Sequence, residues 1–321
     1  MQYLSDLFAT LQAWLFESLV QPAVFALGLG EFVETAFDGV EIFLAGLCEL
    51  LLIYLLLRPL EAKWPVQPVS FRARANDFIY TVIHRLGVFA VLIFFLLDPL
   101  LDQLAALLHL QGLRPFNLEN LWPGITDAPL VSFFVYLLIL DFFDYWYHRM
   151  QHRFHWWWAL HSLHHSQMEM NLWSDNRNHL LDDFLRDVVM GLIALAIGVP
   201  PAQYVMLVMA GRILQSLQHA NLRLHFGPLE WLLVSPRFHR CHHAIGIGHE
   251  APGGRLGGCN FAVLFPIWDM VFRSAHFSPE FMATGVRDQL PPPHGLGRDY
   301  GRGFWAQQWL GLRRLWQALR S

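Results

Sequence analysis

Residues 130–152 read LVSFFVYLLILDFFDYWYHRMQH. The apolar part, 130–147, is long enough as a helix to cross a hydrocarbon core about 30 Å thick. It ends in His148-Arg-Met-Gln-His152, and residues at i and i+4 share one face of a helix. One segment therefore spans a bilayer and delivers two imidazoles at its end. Asp141 and Asp144 precede His148 by two turns and one turn on nearly the same face. Asp144 is placed to accept the second ring N–H of a ligating histidine.

Outward from this stretch the same reading repeats. Two earlier runs, 40–60 and 78–101, are also long and apolar, and His84 and Arg85 in the second are expected to face the bundle interior or an interface. A later stretch, 188–217, is broken by Pro200-Pro201 into arms too short for untilted spans. It reads as a re-entrant or tilted helical hairpin that returns to the side it left. The expected fold is all-α, an integral membrane helical bundle with a cytosol-facing, histidine-rich helical cap.

Composition agrees. Of 321 residues, 55% are hydrophobic and 15% charged, against about 25% charged in soluble domains. A net charge of −4 gives nucleic acid no footing. Cys48, Cys241 and Cys259 are scattered and odd in number, which argues against a disulfide framework. No Lys or Arg precedes Arg58, so no cleavable signal peptide is expected.

Basic residues set the orientation. Arg58, Lys63, Arg72 and Arg74 lie between the first two runs, whereas Arg114 is the one base between the second and third. The positive-inside rule puts the first loop, and hence His148, on the cytoplasmic side. Four regions follow: an interfacial segment at 1–39, transmembrane helices at 40–147, a histidine-rich region at 148–275 and a tail at 276–321. The tail holds Pro291-Pro292-Pro293, then Trp305, Trp309, Leu312, Trp316 and Leu319 at helical spacing with Arg313, Arg314 and Arg320. That pattern fits a helix in the membrane interface or one packed on the domain.

Histidine decides the chemistry. Most of the 17 lie between 148 and 249. After His148 and His152 come His161-Ser-Leu-His164-His165 and the matching His239-Arg-Cys-His242-His243, with His179 and His219 more loosely placed. One HxxxH arises readily by chance. Two HxxHH groups on the same membrane side do not, because clustered imidazoles repel when charged and need partners when buried. Four ligands satisfy a structural zinc ion, so eight imply two metals. Imidazole suits Zn, Cu, Fe and Ni alike, and ligand type alone leaves the metal open. The one His-Glu pair, His249-Glu250, is followed by Ala-Pro, so no His-Glu-x-x-His protease motif exists. His155 shares the face of His148 and His152, either as a ligand or as an interfacial residue. Cys241 points off its histidines' shared face and reads as packing. His84, His109, His225, His249, His276 and His294 are isolated and read as structural.

The order of these motifs resembles the fatty acid hydroxylase/sterol desaturase superfamily of membrane histidine-cluster di-iron oxygenases. Asp144-Tyr-Trp-Tyr-His148-Arg149, Leu160-His161-Ser-Leu-His164-His165-Ser166, Met170-Asn171, Arg177-Asn-His179, His219-Ala-Asn221, Ser235-Pro236-Arg-Phe-His239, Asn260-Phe261 and Trp268-Asp269 carry the resemblance, over about residues 130–275. Gln215, Ala262 and Arg273-Ser274 depart from the family pattern. The resemblance implies two iron ions, with Zn or Mn as substitutes in purified protein. His148, His152, His161, His164, His165, His239, His242 and His243 would be ligands, with His179 and His219 as additional ones. Asp141, Asp144, Asn171, Asn260 and Asp269 would support them. The implied reaction is O₂-dependent hydroxylation or desaturation of a lipid C–H bond, with no further catalytic side chain.

Without a Gly-x-Gly-x-x-Gly fingerprint, the electrons are expected from a separate donor: a cytochrome b5-type protein, a ferredoxin or a reductase. Arg149, Arg153, Arg237 and Arg240 are its expected docking residues, or else contacts to lipid head groups. A bacterial inner membrane is the expected location. A histidine-rich metal transporter or sensor would place ligands at mid-membrane, and a zinc-dependent membrane hydrolase would need three protein ligands and a Glu base. Neither fits ligands massed beyond a span.

Overall fold

The computed structural model describes residues 2–89, 98–112, 116–251 and 255–320, and most of them lie in helices. Helices α1 (Gln2–Leu15) and α2 (Gln21–Ala26) precede the long α3 (Val33–Lys63). Then come α4 (Phe71–Arg85), α5 (Asp98–Leu110), α6 (Pro129–Gln151) and α7 (His155–His165). The hairpin α8 (Leu180–Ile197) and α9 (Pro201–His219) is followed by α10 (Pro236–His242), α11 (Ile267–Val271) and α12 (Phe304–Ala318). The strand content is one short antiparallel pair, Glu250–Ala251 with Arg255–Leu256.

Among the described residues, two stretches are long and apolar enough to cross a membrane: Gly30–Lys63, with mean hydropathy 2.3, and Pro129–Gln151, with 1.5. Along α6, Leu130, Phe134 and Leu138 are exposed on one face, while Ser132, Tyr136, Leu140 and Asp141 are buried on the other. An apolar exposed stripe over a polar buried one inverts the pattern of a water-soluble helix, as lipid contact requires.

The run at 78–101 is divided. Helix α4 ends at Arg85, Gly87 takes a positive φ of 85°, and residues 90–97 of that expected span lie outside the described residues. The physical reason is Arg85, whose side chain is wholly buried. Its guanidinium donates to Glu49 on α3 at 2.9 Å, to Asp175 at 2.5 Å and to Ser216 on α9 at 2.7 Å. A charge removed from water must be paired, and this one ties three segments together. His84 beside it pairs with Asp183 at 3.1 Å.

The broken stretch at 188–217 forms two helices, α8 and α9, which together extend past both of its ends. Gly198 ends α8 in the left-handed region (φ 70°), and the carbonyl of Phe116 packs where its Cβ would be. Pro201 opens α9 at the first helical position, where its missing N–H is not needed. The hairpin thus carries the chain away from Leu180 and returns it to His219.

Helix α12 lies along α7. It buries Gln307, Gln308, Gly311 and Arg314, while Trp305, Trp309, Leu312 and Trp316 stay exposed. The tail helix therefore packs on the domain by one face and turns its tryptophans outward by the other. The polar face packs, and the apolar face is presented outward as on an interfacial helix.

Candidate metal centre

Four helix ends converge on one buried volume. The C-terminal turn of α6 brings His148 and His152, α7 brings His161, His164 and His165, the end of α9 brings His219, and α10 brings His239, His242 and His243. Helix α10 starts where the Ser235 hydroxyl accepts the amide of Phe238 and Pro236 fills the first helical position. The seven-residue helix and the His243 that follows it present three imidazoles.

The nine histidines sort into two groups. His148, His152, His161, His165 and His242 form one, and His164, His219, His239 and His243 the other; within each group the ring nitrogens lie within 4.8 Å of one another. All nine are buried. His152 and His165 approach Nε2 to Nε2 at 3.0 Å, His219 and His164 at 3.1 Å, His239 and His219 at 2.9 Å, and His243 and His239 at 3.1 Å.

Five of the nine have the other ring nitrogen held by a protein acceptor. Nδ1 of His148 donates to the Phe261 carbonyl (2.8 Å), that of His242 to Cys259 (2.8 Å), that of His152 to Gly257 (3.2 Å) and that of His219 to Gln215 (2.8 Å). Nδ1 of His161 donates to the Asp182 carboxylate at 3.1 Å. With Nδ1 holding the proton, Nε2 is a free lone pair. Lone pairs gathered this closely repel unless a cation sits among them, and His161 and His242 have no hydrogen-bond partner at Nε2. Burial, and then the neighbouring imidazoles, holds His152, His164, His165, His239 and His243 well below the ordinary imidazole pKa. His242 is pushed down to about 3, chiefly by burial. Neutral, desolvated nitrogen donors in two groups suit two first-row transition-metal ions.

The structure places the remaining expected residues elsewhere. His179 joins neither group: its Nδ1 accepts the amide of Leu181 as the N-cap of α8, and its Nε2 faces the Gln308 carbonyl at 2.9 Å. A histidine used to start a helix and to seat α12 has no nitrogen left for a metal. His155 is exposed at the start of α7. Asp144 does not accept from a histidine, because both its oxygens are taken by Arg186 at 2.9 and 2.7 Å. Asp141 binds the amides of Leu264 and Phe265 and the indole of Trp268, and Asp269 binds the amides of Phe261 and Ala262. Both hold the 261–265 segment whose Phe261 carbonyl orients His148. Asn260 binds the Phe238 and His276 carbonyls, and Asn171 binds Asp77, away from the histidines. Three of the four arginines expected on a docking face are engaged inside the protein: Arg149 with Tyr145, Arg237 with Glu230 and Arg240 with Met282 and Gln67. Arg153 is exposed.

Asp182 is the residue that sequence reasoning missed. It accepts from His161, from Gln151 Nε2 at 2.9 and 2.8 Å, and from the Trp157 indole at 2.8 Å. The signal lay in His179-Leu-Leu-Asp182-Asp183: acidic residues in the first turn after a capping position.

A cavity of about 80 Å³ reaches the centre, lined among others by His148, His161, His164, His219, His239 and Val263. A second, of about 100 Å³, adjoins it through Asp144, Arg186, Gln215 and Val263 and runs between α6, α8 and α9, lined by Leu137, Leu140, Met190, Leu207 and Val208.

Convergent helix ends and two groups of buried imidazoles that could hold metal ions define an all-α membrane protein with a candidate metal centre, approached from the bundle through a cavity of mixed polar and apolar lining. Residues 133–274 match the model of the fatty acid hydroxylase family. It is 31% identical over 179 residues to the human alkylglycerol monooxygenase, covering 55% of this chain and 36% of that protein. The Xenopus tropicalis alkylglycerol monooxygenase is 32% identical over 157 residues, covering 48% and 32%. The ornithine lipid hydroxylase OlsE of Rhizobium tropici is 27% identical over 172 residues, covering 53% and 47%. The chain thus spans less than half the length of these relatives. No solved structure matches it significantly.

Proposed function

We propose that this protein is a di-iron, O₂-dependent hydroxylase of a lipid C–H bond, acting at the cytoplasmic face of a bacterial inner membrane with electrons from a separate donor. The observation that carries the proposal is the pair of histidine groups opening onto a cavity that continues into the apolar bundle. Nine protein nitrogens exceed what a hydrolytic zinc site uses. They suit two irons, which when bound supply the reduction of O₂ that a hydroxylase needs. Relatives named for action on an alkylglycerol and on an ornithine lipid support a lipid substrate.

The chain's own residues hold, orient and shield. Asp182 and the carbonyls of Phe261, Gly257, Cys259 and Gln215 fix the ring orientations. Leu137, Leu140, Met190, Leu207 and Val208 receive the hydrocarbon and keep water from the reacting carbon. The polar belt between the cavities, with Arg186 held by Asp144 and Arg212 near Asp187, takes the polar part of the lipid.

The test is metal analysis of detergent-purified protein, with iron and zinc measured together, followed by O₂ uptake with reductant and mass spectrometry of a lipid mixture. Two irons per chain and a lipid product heavier by one oxygen atom are expected. Stoichiometric zinc that resists anaerobic iron loading, with no O₂ uptake, would refute the reading.

A further inference from the structure

His249 lies just outside the 4.8 Å groups of the nine histidines, with its ring next to that of His165. It lies on the glycine-rich loop after α10, in which Glu250–Ala251 pairs with Arg255–Leu256. Two glycines press this loop against the ligand helix. A Cβ on Gly248 would fall on the carbonyls of His242 and Ala244, and one on Gly258 (φ 125°) would fall on the carbonyl of Gly248. Only residues without side chains allow so close an approach. The loop is already part of the centre, because Gly257 and Cys259 supply the carbonyls that orient His152 and His242.

Pressed there, His249 is 3% exposed. Its ring stacks on Trp158 at 5.4 Å and lies 5.8 Å from the ring of His165. That second spacing is shorter than the 6.5 Å between His148 and His165 inside the five-histidine group. Neither Nδ1 nor Nε2 has a hydrogen-bond partner among the described residues. Burying a polar group unpaired costs about 1–3 kcal/mol, and this ring has two such atoms. Asn or Gln in the same place would be equally orphaned, so the position suits a residue with another use for its nitrogens.

Direction supplies the rest. The cavity at the centre is lined by His148, His161, His164, His219 and His239, but not by His152, His165, His242, His243 or His249. His249 therefore meets the five-histidine group on the side away from the cavity.

Resting on the two-metal reading above, we propose that His249 is a sixth imidazole for the ion of His148, His152, His161, His165 and His242, closing it on the side away from the cavity. The two ions are then unequal. The six-histidine ion is filled by protein nitrogens, and the four-histidine ion of His164, His219, His239 and His243 keeps the positions that face the cavity. Burial favours the neutral, ligating form of His249, whose pKa is pushed down to about 4.

The experiment uses the full chain in detergent, loaded with Co²⁺, as wild type, His249→Ala, His249→Gln and, as a control on the exposed tail segment, His294→Ala. Chelator-driven release and the visible spectrum are recorded, with thermal unfolding of loaded and metal-free forms. Both His249 variants should lose one of the two equivalents about 10–100-fold faster and leave the other unchanged. Their cobalt absorption should rise, as it does when a six-coordinate ion becomes five-coordinate, and the stabilisation conferred by metal should shrink; His294→Ala should match wild type. Wild-type release and spectra in both variants, or equal destabilisation of loaded and metal-free forms, would overturn the proposal and leave His249 as packing against Trp158. A wild type that binds fewer than two ions would refute the two-metal reading before any variant is compared.

Discussion

Nδ1 of His161 lies 3.1 Å from Oδ2 of Asp182, joining the middle of α7 to the first turn of α8. The carboxylate also collects Gln151 and Trp157, so it locks one ligand's tautomer while bracing the helix that follows it. Asp182→Asn keeps the volume and turns one acceptor into a donor. Metal affinity in a chelator competition should fall about 10–100-fold, with helical content unchanged. An affinity equal to wild type would remove Asp182 from the centre.

Folding holds the histidines neutral, and that sets a pH dependence. In the unfolded chain they protonate below about pH 6.5. In the folded chain His152, His164, His165, His239 and His243 stay uncharged well below that, and His242 to about 3. The unfolded state therefore takes up more protons as pH falls, so stability is lost with acidification and is flat above about pH 7. Each imidazole contributes up to about 1.4 kcal/mol per pH unit within its window. Denaturation midpoints of the metal-free protein at pH 7.5, 6 and 5 should decline steeply; a constant midpoint would contradict the neutral cluster.

Arg85 is held by Glu49, Asp175 and Ser216 with no exposed atom to rehydrate. Glu49→Ala leaves part of that charge unpaired, and breaking a buried pair from one side costs about 3–5 kcal/mol. Replacing Arg85 by Met together with both its carboxylate partners, Glu49 by Leu and Asp175 by Asn, should recover much of the loss. Detergent-resistant unfolding of the two variants measures the difference.

Val263 lines both cavities, and its carbonyl is fixed by Gln218. Val263→Trp should block the passage between them, lowering lipid turnover at least tenfold while metal content stays at the wild-type level. Loss of metal along with turnover would show that the residue supports the centre rather than the passage.

The apolar runs, the proline break at 200–201 and the two HxxHH groups are local patterns, and their consequences were legible from one sequence. The all-α membrane fold follows from periodicity, and nine of the ten histidines that the family resemblance implies fall in the two groups. Local pattern fails where a side chain's partner is distant in the chain. Arg85, inside an apolar run, is satisfied by residues 36, 90 and 131 positions away, so the run divides. Asp144 was aimed at His148 by helical geometry, but Arg186 offers a bidentate charge pair that a ring N–H cannot match. His179 carries a family motif yet caps a helix, and Asp182, three residues on, does the work at the centre.

The sequence by itself determined that imidazoles would gather at the end of a membrane helix, because spacing on a helix is a local property. Only the tertiary structure decided how they divide into five and four, which backbone carbonyls aim them, and that the buried His249 ring lies 5.8 Å from that of His165. Those depend on contacts between segments far apart in the chain, where hydrogen-bond geometry and close packing, rather than periodicity, select the partner.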